Sequence, residues 1–163
     1  MPGTGAVQPV TGALKGDTTM PRLTPDTRAN YRWFLPIPTR WADNDIYGHV
    51  NNSVYYFYLD TCVNAWLVER GLLRVGESEV VGLVVENGCS FFAPLAFPQT
   101  VHAGLRVARI GTSSVTYEIG LFADGEDTAA ARGHFTHVYV AEDTRRPVPL
   151  SATMRETLGE IAQ

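Results

Sequence analysis

The stretch Thr39 to Asp60, TRWADNDIYGHVNNSVYYFYLD, constrains the fold more than any other part of the chain. Up to Ala42 it reads as the end of a strand. Asp43 to Asn52 is polar, holds one glycine and has no apolar period. From Ser53 the residues turn aromatic and aliphatic at helical spacing. A strand that runs through a polar turn into a buried helix sets a carboxylate beside a helix N-terminus. The backbone N–H groups there have no intrahelical partner and attract negative charge.

The helix is expected over Ser53–Gly71. Val54, Phe57, Tyr58, Cys62, Ala65 and Trp66 recur at spacings of three and four, and Tyr55, Leu59 and Val63 widen the apolar surface. Such a helix is buried on much of its circumference, with Gly71 as its stop. Before it, Trp33–Trp41 reads as a strand with Leu35, Ile37 and Trp41 on one face. Pro36 and Pro38 lack N–H groups along one edge, which fits an edge strand.

After it come four more strands. Val80–Phe92 is rich in Val and Phe, with a bulge expected at Gly88. Thr100–Ile110 alternates, with Val101, Ala103, Leu105 and Val107 inward, and Gly111-Thr112 turns the chain. Ser113–Phe122 alternates again through Val115, Tyr117, Ile119 and Leu121. Asp124-Gly125 is a hairpin signal. Thr128–Ala141 places Ala131, Gly133, Phe135, His137 and Tyr139 on one side. Ser151 caps a short last helix to about Ile161. One apolar helix followed by a meander gives an α+β fold, a curved antiparallel sheet of about five strands wrapped around the helix. Residues 1–30, rich in Gly, Pro and Thr without a hydrophobic period, read as a disordered N-terminal extension to one domain over 31–163.

Of the 163 residues 18% are charged and the net charge is −4, which argues against nucleic acid as a main partner. No apolar run approaches the ~20 residues that span a bilayer, so no membrane partner is expected. No signal peptide is read. Cys62 and Cys89 do not make a disulfide framework. They read as reduced thiols of a cytoplasmic protein.

For chemistry, Asp43 and Asp45 point to opposite sides of an extended chain, so one can face a cleft while the other caps backbone amides. His49 suits a general base, a tautomer-locked structural hydrogen bonder or a merely exposed side chain. Asn51 and Asn52 suit the cap and first turn of the helix. There is no nucleophile elbow, phosphate loop or metal motif. His134 and His137 fall on opposite faces of a strand and make a poor metal pair. An enzyme built on this chain is most simply a carboxylate enzyme without metal or cofactor.

The segment Arg40-Trp41-Ala42-Asp43-Asn44-Asp45-Ile46-Tyr47-Gly48-His49-Val50-Asn51-Asn52, followed by Tyr55 and Tyr58, resembles the signature R-W-x-D-x-D-x-x-G-H-V-N-N-x-x-Y-x-x-Y. That pattern marks the 4-hydroxybenzoyl-CoA thioesterase-like branch of the hotdog-fold acyl-CoA thioesterases. Ala93-Pro94-Leu95, Ala108 to Ser114 and Arg146 to Leu150 continue the resemblance from about Trp33 to the C-terminus. It implies a homodimer or homotetramer with an acyl-CoA site between protomers. It implies Asp45 as general base or nucleophile and the amide at or near Asn52 as the donor that polarises the thioester carbonyl. His49 would hold the loop or a water, with Tyr47 and Gly48 beside the substrate. Arg109, Ser113 and Ser114 are the positions expected to meet the nucleotide end of coenzyme A. The family often carries an Arg shortly after the helix acid; Asp60-Thr61-Cys62-Val63 has none. An acyl-carrier-protein thioesterase and a non-catalytic acyl-thioester binder are the alternatives on the same fold. A hydratase would need a different Asp and His pattern.

Overall fold

The structure, a computed structural model, describes residues 23–163. Strand β1 (Trp33–Pro38) is followed by a 3-10 turn (Trp41–Asp43) and the long helix α1 (Asn52–Glu69). Then come β2 (Val80–Phe91), β3 (Thr100–Ile110), β4 (Ser114–Phe122), β5 (Ala131–Ala141) and helix α2 (Ala152–Gly159). The strands form one five-stranded sheet in the order β1-β3-β4-β5-β2, antiparallel at every pairing. The sheet carries α1 on its inner face, the hotdog arrangement.

Only β3, β4 and β5 form the expected meander. Strand β2 does not pair with β3; it crosses to the far edge and pairs with β5 alone. The break in its register falls between Val84 and Glu86, and not at Gly88. Gly88 instead lies flat against β5, where an added Cβ would sit 2.7 Å from the His134 ring. The β1 edge holds as expected, with Pro36 and Pro38 on a strand that pairs only with β3.

Helix α1 buries a stripe two residues wide: Val54 and Tyr55, Tyr58 and Leu59, Cys62 and Val63, Trp66 and Leu67. The stripe packs on Val101, Ala103, Leu105, Val115, Tyr117, Ile119 and Leu121 of β3 and β4. Burying such side chains contributes roughly 1.5–3 kcal/mol each. The opposite face stays open, so Phe57 is 66% exposed and does not belong to the core. Trp41 likewise leaves the expected strand face: it begins the 3-10 turn and is 81% exposed. Gly71 takes a φ of 68° just past α1, and Ser151 caps α2 through Met154 N–H.

The expected extension lies outside the described residues as far as position 22. Residues 26–30 pack on the outer face of the sheet. Thr27 bridges to Thr128, and Arg28–Asn30 form a 3-10 turn that leads into buried Tyr31. Asp26 accepts from the Tyr31 hydroxyl at 2.9 Å and pairs with Arg106 at 3.0 Å. Arg106, itself buried, also donates to Glu118 and stacks over the Tyr31 ring.

Candidate active site

The polar turn is closed by its own backbone. Asn44 and Val50 form a bridge, Asp45 N–H donates to the His49 carbonyl at 2.8 Å, and Gly48 N–H donates to the Asp45 carbonyl at 3.1 Å. Gly48 holds a φ of 79°, a conformation that residues with a Cβ rarely adopt. The link Ala93–Pro98 braces the turn from below. The Leu95 carbonyl accepts from Val50 N–H, and Asn44 Oδ1 accepts from Phe97 N–H.

Within this frame the two aspartates separate. Asp43 is 1% exposed; it accepts from Tyr58 Oη at 2.7 Å, from Arg40 N–H at 2.8 Å and from Arg40 Nε at 2.9 Å. Burial works to raise its pKa, but the hydrogen bonds from Arg40 and Tyr58 outweigh it and the pKa is lowered. The group is a structural anion that ties the turn to α1. Asp45 is half-buried. Its Oδ1 accepts from Tyr47 N–H at 2.8 Å and His49 N–H at 3.4 Å, while Oδ2 makes no hydrogen bond among the described residues. One carboxylate oxygen holds the loop and the other stays free of donors among the described residues. Each aspartate caps backbone amides, so the expected division of labour lies between the oxygens of Asp45 as well as between the two residues.

Asn51 is the N-cap of α1, its Oδ1 accepting from Ser53 N–H at 3.0 Å. Asn52 is the first helical residue, and its N–H donates to no group among the described residues. Asp45, Tyr47, His49, Asn52, Tyr55 and Phe91 line one cavity of about 590 Å³. Thus Asp45 and Asn52, the residues that carry the free carboxylate oxygen and the unpaired helix N–H, line a single space walled by Tyr55 and Phe91, with ring centroids 4.9 Å apart. Nearby Cys89 offers no competing nucleophile, since burial pushes its thiol up to about 11.

The structure brings Asp45, Tyr47, His49 and Asn52 together, with Gly48 in the turn beneath them. It does not bring Arg109, Ser113 and Ser114 to them. Ser114 pairs with Val138 and Phe91 with Ala131, so the two places lie seven residues apart along β5, roughly 23 Å of strand. Sequence reading also missed Arg155. It reaches from α2 to the carbonyls of Gly111 and Thr112 at 2.8 and 3.0 Å, adding a cation to the Ser113–Ser114 turn. No local motif points to it, because the contact spans more than forty residues.

The thioesterase-like superfamily model matches residues 39–158, and the chain belongs to that superfamily. Its class is that of the thioester hydrolases. Among solved structures it is similar to the PA5185 protein of Pseudomonas aeruginosa at 50% identity and a TM-score of 0.82, covering 85% of this chain and 97% of that one. The PA2801 protein of the same organism shares 31% identity at a TM-score of 0.71, over 77% and 96% of the two chains. A 1,4-dihydroxy-2-naphthoyl-CoA thioesterase from Synechocystis shares the fold at 17% identity and a TM-score of 0.70, over 78% and 95%. No curated protein matches the chain.

Proposed function

We propose that this chain hydrolyses acyl-CoA thioesters to free acid and coenzyme A, with Asp45 as the reacting carboxylate. The observation that carries this reading is the cavity that Asp45 and Asn52 line together. A thioester carbonyl placed against Asn52 N–H becomes an oxyanion as it is attacked. One well-aimed donor at a helix N-terminus lowers that barrier by about 3 kcal/mol. Asp45 Oδ2 either takes the proton of the attacking water or attacks the carbonyl carbon itself. In both routes the C–S bond breaks and the thiolate leaves and takes up a proton. Water supplies the acid's new oxygen directly, or it opens a mixed anhydride at the carboxyl carbon of Asp45, so that the acid departs with an Asp45 oxygen and the water oxygen stays on Asp45. His49 steadies the loop through its backbone: its carbonyl accepts from Asp45 N–H and its own N–H reaches Oδ1.

The site is completed by a second copy of the chain. Strand β2 is twelve residues long and pairs on one side only, leaving Val84 and Val85 44% and 60% exposed. A long unpaired apolar edge favours pairing with another strand. Antiparallel pairing of two β2 strands about a twofold axis sets the Val80 end of one beside the Phe91 end of the other. The Ser113–Ser114 turn of the second copy then lies about three strand spacings, ~14 Å, from the Asp45 cavity. Arg109, Ser113 and Ser114 so meet the nucleotide end of a coenzyme A bound across the interface.

The test is thiol release from short, medium, long and aromatic acyl-CoAs. Asp45→Asn should keep the fold and lower turnover by at least ~10³-fold. Near-normal turnover in the folded variant would remove Asp45 from the reaction. A single turnover in heavy-oxygen water separates the routes, because only nucleophilic attack leaves the label in the Asp45 carboxyl group.

A further inference from the structure

The turn between β3 and β4 has its acceptors occupied and its donors free. The Gly111 and Thr112 carbonyls accept from Arg155 Nη2 at 2.8 and 3.0 Å. The Thr112 carbonyl also accepts from Leu150 N–H, the Ser113 carbonyl from Tyr139 N–H, and the Ser114 carbonyl from Gly111 N–H. By contrast, the N–H groups of Thr112 and Ser113 donate to nothing among the described residues. The hydroxyls of Thr112, Ser113 and Ser114 make no hydrogen bond there either.

Arg155 is exposed, but its backbone is fixed, because α2 is anchored in the core by Met154 and Leu158 on either side of it. Two carbonyls on one guanidinium nitrogen orient the whole planar group. Its Nε and Nη1 donors remain, and they meet no acceptor and no carboxylate among the described residues. The Ser114 hydroxyl stands over Gly111, where an added Cβ would strike it. It therefore lies on the same turn residue whose carbonyl holds Arg155. A cation, free amides and free hydroxyls gathered on one turn suit a ligand that only accepts hydrogen bonds and carries negative charge.

We propose that Arg155 is a specificity-determining residue for the thiol half of the substrate: it sets the Gly111–Ser114 turn and pairs with a phosphate of coenzyme A through its remaining N–H groups. The inference rests on the thioesterase reading, and on its twofold pairing of β2 strands, for the placement of the thioester. Phosphate oxygens accept only, and a guanidinium binds them with charge-assisted hydrogen bonds. The arm from the thiol of coenzyme A to its pyrophosphate holds about twelve bonds, as many as about four extended residues, or ~14 Å. The turn of the second copy lies ~14 Å from the Asp45 cavity. A thioester at the Asn52 amide of one copy thus brings its phosphates to Arg155 of the second.

The experiment compares kcat/KM for one acyl group carried by coenzyme A and by pantetheine, which has the arm without phosphates or nucleotide. The wild type should prefer the CoA ester by at least ~10-fold. Arg155→Gln keeps a donor for the turn carbonyls and loses the charge. It should lower the preference by ~10-fold, through the KM of the CoA ester more than through kcat. Arg155→Lys should keep part of the preference. A wild-type ratio near one overturns the proposal. So does an unchanged ratio in Arg155→Gln, and so does a loss that falls equally on both esters, which marks a residue that only braces the turn. If neither ester is hydrolysed, the hydrolase reading fails separately. The calorimetric Kd of coenzyme A itself then decides. It should weaken by at least ~10-fold in Arg155→Gln, and an equal Kd in the two proteins, or no binding to the wild type, overturns the proposal.

Discussion

Asp43 and Asp45 are the same residue type two positions apart, and burial and partners decide their separate roles. Asp43 accepts three hydrogen bonds in a nearly water-free site. Asp43→Asn should cost about 2 kcal/mol of stability, measured by urea unfolding, with turnover per folded molecule nearly kept. Its lowered pKa fixes the pH sign. The stabilisation is complete above the unfolded carboxyl value of ~3.9 and is lost as pH falls through the folded value, so the gap between wild type and Asp43→Asn should close in acid. His137 follows the same sign at a higher pH. Burial lowers its pKa, so the native state resists the proton that the unfolded chain accepts below ~6.5. Unfolding curves between pH ~7 and ~5 should therefore slope less for His137→Leu than for wild type.

At the scale of elements, α1 approaches the sheet as closely as it does because β5 presents Gly133. A Cβ there would meet both Leu59 methyl carbons inside contact distance. Leu59 is fully buried, so the helix has no room to retreat. Gly133→Ala should cost about 2 kcal/mol by overpacking, and Leu59→Ala about 3 kcal/mol by leaving a cavity. The double variant should be more stable than the sum of the two predicts, because each change makes room for the other. Strict additivity in thermal unfolding would mean that the contact does not limit the approach of helix and sheet.

At the scale of the molecule, the two sheet edges differ in kind. The β1 edge is short and blocked by Pro36 and Pro38, whereas the β2 edge is long, apolar and open. Leu83→Lys combined with Val85→Lys should yield a monomer by light scattering and lower turnover by about tenfold or more, although Asp45 and Asn52 are untouched. Full activity in a proven monomer would place the whole site within one chain. On the outer face, the segment from Asp26 to Tyr31 covers Arg106 and the glycines Gly104 and Gly120, whose added Cβ atoms would strike Tyr31.

Local chemistry already determines much of this protein. The polar turn, the cap at Asn51, the alternation of β3 to β5 and the edge character of β1 follow from spacing and residue type, because each is fixed by contacts within a few residues. The motif that marks the superfamily lies in that same local stretch. What the sequence could not decide depends on contacts distant along the chain. The crossing of β2 to the far edge was hidden because an apolar strand reads alike at either position. Phe57 reads as core by periodicity, yet the sheet covers only one stripe of α1 and leaves it exposed. The distance between Asp45 and Arg109, Ser113 and Ser114 is likewise set by sheet order, as is the burial of His137. Periodicity shows which face of an element is apolar; only packing decides what covers it.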